Sequence, residues 1–129
     1  MAVTHSKMIE LGMKAPPFDL PTANPGVDEV EGETRALADY AEAEAVVVVF
    51  TCNHCPYAKH VEDALVDMAS HYQARGVQFI AINANDPEQY PEDAFDKMAE
   101  RAKAKQFPFP YLFDASQDVA KAYGALCTP

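Results

Sequence analysis

The 129-residue chain has no tryptophan, only three cysteines and five glycines, and half as many basic residues as acidic ones, 10 against 20. Three cysteines are too few for a disulfide framework, so apolar burial must hold the fold and cysteine is kept for chemistry. The formal charge of −10 repels phosphate backbones and anionic membrane surfaces, which argues against nucleic acid and membrane partners. No apolar run is long enough to cross a bilayer, and Met1 to Lys14 has no signal-peptide core. The expectation is a cytoplasmic protein. With 49% apolar and 23% charged residues, the composition is that of one soluble domain over residues 1–129.

Along the chain, residues 1–34 read as a turn-rich extension, with Pro16, Pro17, Pro21, Pro25, Gly12, Gly26 and Gly32 around Phe18 and Leu20. Residues 46–129 read as the core. Val46 to Thr51 is β-branched and aromatic, the composition of a central strand buried on both faces. Tyr57, Val61, Ala64, Leu65, Met68 and Tyr72 recur at helical spacing and predict the inner face of a helix stopped at Gly76. Val77 to Asn83 predicts a second strand, making a right-handed βαβ unit. A second helix is predicted from Pro91 or Glu92 to Lys105, with Ala94, Phe95, Met98, Ala99 and Ala102 inward. Tyr111 to Phe113 predicts a short strand. Asp114 and Gln117 resemble a capping box for a last helix ended by Gly124.

The residues that name a chemistry are Cys52-Asn53-His54-Cys55-Pro56, between the first strand and the first helix. Two thiols three positions apart can close a disulfide after small motion, and a helix N-terminus lowers the pKa of the thiol facing it. The same spacing serves half a metal site. Cys52 and Cys55 with His60, and Cys127 as a further soft donor, are the candidate copper or zinc ligands. His54 inside the motif would stabilise a thiolate when charged. Cys127 reads either as a third redox cysteine or as a small apolar filler.

Strand, C-x-x-C, helix, strand, helix and a final Thr-Pro dipeptide resemble the thioredoxin fold, from about Met13 to the last residue. Gly12-Met13-Lys14-Ala15-Pro16-Pro17-Phe18-Asp19-Leu20 resembles the G-x-x-A-P-x-F-x-L opening of the redoxins. That branch includes the alkyl hydroperoxide reductase/thiol-specific antioxidant proteins and the TlpA-like thiol-disulfide oxidoreductases. Tyr123-Gly124 followed by Thr128-Pro129 is similar to the segment where the family places a cis-proline beside its cysteines. The resemblance implies an α/β fold with a central mixed sheet flanked by helices. It implies Cys52 as exposed nucleophile and Cys55 as the more buried resolving thiol, with Thr51, His54, Pro56, Thr128 and Pro129 in support. It implies no bound cofactor, and a disulfide- or dithiol-bearing protein or a small thiol as partner.

Departures from the family pattern refine these expectations. Thioredoxin carries a buried Asp six residues before the first cysteine, where this chain has Val46, and Asp86 is the candidate to replace it as proton acceptor. His54 resembles the x-His dipeptide of disulfide isomerases and implies a more oxidising disulfide than thioredoxin's. The peroxiredoxin signature P-x-x-x-T-x-x-C is not met, because Thr51 directly precedes Cys52 and Val47 stands in place of the proline. A thiol peroxidase therefore ranks behind a thiol-disulfide oxidoreductase. The family fold continues past the Thr-Pro dipeptide into a β-hairpin and a helix, whereas this chain stops at Pro129. The expectation is a truncated fold, inactive if the missing surface is needed for turnover, in which Val46 to Thr51 forms an open apolar edge that self-associates.

Overall fold

A computed structural model describes residues 8–126. Three strands form the core sheet in the order β3 (Ala45–Phe50), β4 (Val77–Asn83), β5 (Tyr111–Phe113), all parallel. Ahead of them β1 (Asp19–Pro21) and β2 (Thr34–Ala36) pair antiparallel. An antiparallel bridge between Thr22 and Leu112 ties this ribbon to β5. The helices are α1 (Pro56–Gln73), α2 (Phe95–Ala104) and α3 (Asp118–Ala122). Among the described residues no helix is long and apolar enough to cross a membrane.

β4, not β3, is the central strand. From Phe79 to Asn83 every β4 residue is buried, while β3 pairs with β4 alone among the described residues and leaves Val47 exposed. β3 is the richer in β-branched residues, four of its six against three of seven in β4, yet it lies at the edge, because composition reports apolar demand but not strand order. Alternation along β4 builds two cores. Phe79 and Ala81 pack with Ala69, Met98, Ala102 and Tyr111, and Ile80 and Ile82 pack with Phe18, Tyr40 and Leu112.

The buried face of α1 is not the predicted apolar stripe. Tyr57, Val61, Met68 and Tyr72 are exposed, whereas Ala58, Glu62 and Ala69 are buried, with Leu65 and Val66 partly so. Small residues let the helix backbone come close to β4. Glu62 is tolerated there because Arg101 of α2 grips it through two hydrogen bonds of 2.8 Å. At Gly76, φ is +82°, and a Cβ would meet Glu44 Cγ at 2.9 Å, so only glycine fits this turn into β4.

The second predicted helix is broken near its start. Pro91–Asp93 forms one 3₁₀ turn, Ala94 is extended (φ −62°, ψ 153°), and α2 begins at Phe95. Phe95, expected inward, is exposed. Asp114 is not a capping-box residue either, since Gln117 at φ +66° is the N-cap and the Asp114 carboxylate accepts the Ala120 N–H at 2.8 Å.

Candidate active site

β3 ends at Phe50, Thr51 N–H still bonds Ile82 O at 2.9 Å, and the next four residues turn the chain into α1. Pro56 is the first helical residue, which costs nothing because its missing N–H would have no partner there. Cys55 is the N-cap, and its carbonyl accepts the Lys59 N–H at 3.0 Å. Cys52, Cys55 and Ala58 form one buried cluster.

The expected contrast between an exposed Cys52 and a buried Cys55 does not hold. Cys52 is 1% exposed and Cys55 9%. Asn53 draws the loop inward: its N–H donates to Asp93 Oδ1 at 2.6 Å, its amide donates to Glu92 O at 2.8 Å, and its Oδ1 accepts the Tyr111 hydroxyl at 2.7 Å. Burial pushes the Tyr111 phenol far above its ordinary value, with Asp93, Cys52 and Glu62 adding to the effect and the Asn83 hydrogen bond opposing it, so the hydroxyl keeps its proton.

Asp93 is the buried carboxylate of the site, and the sequence did not single it out. It is 0% exposed. Oδ1 accepts from Asn53 N–H and from Asn83 Nδ2 at 3.0 Å, and Oδ2 accepts from Asn85 Nδ2 at 3.1 Å and from His54 Nδ1. Burial alone would raise its pKa, but the bonds from Asn53, His54, Asn83 and Asn85 outweigh burial and hold it below the ordinary 3.8. The available signal was Asn83, an amide closing an otherwise apolar strand, because a buried amide needs polar partners.

His54 is 28% exposed and stacks on Tyr90 with ring centroids 4.1 Å apart and planes 7° from parallel. Cys52 Sγ, one ring nitrogen of His54 and one oxygen of Asp93 lie within 4.8 Å of one another. This is the only trio of metal-capable groups among the described residues, and it lacks the expected His60, which is exposed on α1. The trio's fit to a metal is poor, because both Asp93 oxygens are already engaged by four donors. Asp86, the expected proton acceptor, is exposed, and its carboxylate accepts the N–H of Glu88 in its own turn at 2.9 Å. Cys127, Thr128 and Pro129 lie outside the described residues. A cleft of about 260 Å³, lined in part by Phe50, Ala84, Asn85, Gln117 and Lys121, opens where β3 and β4 end.

A family model described as AhpC/TSA matches residues 11–129. The thiol-disulfide oxidoreductase ResA of Halalkalibacterium halodurans is 28% identical over 98 residues, covering 76% of this chain and 51% of that protein. The chain thus spans about half the length of that relative. An uncharacterized conserved protein of Geobacillus kaustophilus superposes with a TM-score of 0.90 at 46% identity, over 100% of this chain and 65% of that one. The thioredoxin domain of a Bacteroides vulgatus thiol-disulfide oxidoreductase, at 14% identity, superposes with a TM-score of 0.70 over 95% of this chain and 79% of that one. The fold is thioredoxin-like.

Proposed function

This chain belongs to the AhpC/TSA family, and from that premise we propose that it exchanges dithiol for disulfide through Cys52 and Cys55. The observation that carries the reading is the burial of both thiols in one cluster where β3 gives way to α1. Cys52 is the nucleophile, because a ring nitrogen of His54, a group able to take its proton, lies within 4.8 Å of its sulfur. The Cys52 thiolate attacks one sulfur of a substrate disulfide and forms a mixed disulfide, releasing the other sulfur as a thiolate that takes a proton. Cys55, at the N-terminus of α1, then attacks Cys52 Sγ, closing the Cys52–Cys55 disulfide and freeing the second substrate thiol. Two electrons leave the protein, and an external dithiol restores it. The reverse sequence oxidises a dithiol substrate. At 1% exposure Cys52 must be uncovered before it reacts.

The test is the mass of alkylated protein after equilibration in graded thiol/disulfide buffers, with Cys52→Ser, Cys55→Ser and Cys127→Ser alongside. A two-electron transition that needs Cys52 and Cys55 but not Cys127 is expected, and Cys55→Ser should trap a mixed disulfide on Cys52. Thiols that never pair, and become protected only by copper or zinc, would replace the redox reading with metal binding.

A further inference from the structure

Of the described polar groups around the cysteines, Asp93 alone reaches both the main chain of the C-x-x-C loop and its histidine. Its folded-state carboxyl is ionised at neutral pH, since its pKa lies below 3.8. An ionised carboxylate has no proton to give, so the hydrogen between Asp93 Oδ2 and His54 Nδ1 belongs to the imidazole. Asn85 supplies no alternative acceptor, because its amide nitrogen, 3.1 Å from Oδ2 and 3.4 Å from His54 Nδ1, can only donate, and Oδ2 is the nearer partner of Nδ1. Tyr90 holds the ring plane from the face. The ring is therefore constrained in position by stacking and in tautomer by the carboxylate.

We propose that Asp93 is a positioning residue that fixes His54 as the Nδ1–H tautomer, leaving Nε2 as the nitrogen that takes the Cys52 proton and returns it to the departing thiolate. The chemistry balances without a further reagent. The S–H bond of Cys52 breaks as an N–H bond forms on Nε2, and the same proton is later given to the substrate sulfur. A carboxylate that orients an imidazole in this way matters through the tautomer, because the wrong one has no lone pair where the proton must go. Asp93→Asn supplies that wrong tautomer: its oxygen can still accept the Asn53 N–H, but its amide then donates to Nδ1 and forces the proton onto Nε2. The inference rests on the dithiol reading for its functional consequence and is independent of it for the tautomer.

Two measurements test it. In long-range ¹H–¹⁵N spectra of the full chain, with His54 identified by the signals lost in His54→Phe, neutral His54 is expected as Nδ1–H in wild type and as Nε2–H in Asp93→Asn. Reduced protein is then mixed with 5,5′-dithiobis(2-nitrobenzoate). Asp93→Asn should slow thiol exchange by about tenfold, whereas adding it to His54→Phe should change the rate by less than about twofold. A wild-type Nε2–H tautomer overturns the proposal whatever the rates, and that result does not need Asp93→Asn to fold. An equal slowing with and without His54 also overturns it, by showing that Asp93 acts through the Asn53 main chain alone. Failure of the dithiol reading is a separate result, the absence of a two-electron transition in wild type.

Discussion

Arg35 and Asp93 are both 0% exposed, yet they do opposite things with their charge. Arg35 spends every donor nearby: Nε and Nη2 on Asp28 Oδ1, Nη2 also on Pro25 O, and Nη1 on the carbonyls of Gly32 and Thr34. Asp28 turns its other oxygen to the Tyr40 hydroxyl at 2.8 Å. Burial and that bond to Asp28 push the Tyr40 phenol well above its ordinary value, which keeps it a donor. All these partners lie within residues 25–40, so the cluster ties one stretch of chain around β2 to itself. Asp93 instead gathers Asn53 and His54 from the C-x-x-C loop with Asn83 and Asn85 from the end of β4. Its network ends at a half-buried histidine within reach of a thiol. A buried charge whose partners close on themselves holds a shape. One whose network opens at a reactive group sets chemistry.

The sharpest way to break this comparison is Arg35→Met, which strands Asp28 and three carbonyls. Unfolding free energy should fall by about 3–5 kcal/mol in urea titrations, while thiol exchange per folded molecule stays unchanged. A loss of exchange without a loss of stability would put Arg35 in the site.

Asp93→Asn should cost less stability, about 1–3 kcal/mol, because the amide keeps some of its partners. It should also change the acid limb. Asp93 has a folded-state pKa below 3.8, so its ionised form contributes stability that is fully present above the unfolded value and is lost as pH falls through the folded one. Urea titrations at neutral pH and in acid should show a smaller stability difference for Asp93→Asn than for wild type. An equal difference would remove Asp93 from the acid response.

Tyr90→Ala is the smallest change. Tyr90 is exposed, and losing its stack on His54 should cost about 0.5–1.5 kcal/mol by thermal or urea unfolding. Exchange should slow less than in Asp93→Asn, because the carboxylate still sets the tautomer. A larger slowing would make the stack, not the hydrogen bond, the main constraint on the ring.

Much of the fold was legible from local pattern. The strand at Val77–Asn83, the short strand at Tyr111–Phe113 and the helix after the cysteines follow from a β-branched and aromatic run, a short aromatic run, and apolar residues at helical spacing with Gly76 after the end. The placement of the C-x-x-C loop between strand and helix was legible for the same reason. The face of α1 was misread because periodicity weighs apolarity alone. The buried face there is made of two alanines and a glutamate whose partner, Arg101, is 39 residues away. The break at Ala94 was missed because Pro91-Glu92-Asp93 is also how an ordinary helix begins.

By itself the sequence determined the thioredoxin-like class, the strand-loop-helix setting of Cys52 and Cys55, and the absence of long apolar spans, because each depends on residues close together in the chain. Only the tertiary structure decided that β4 is central, that Cys52 is the more deeply buried thiol, and that Asp93 rather than Asp86 is the carboxylate of the site. Those outcomes depend on hydrogen bonds and packing between segments tens of residues apart. A carboxylate is stable at zero exposure only where such segments bring enough donors to meet it.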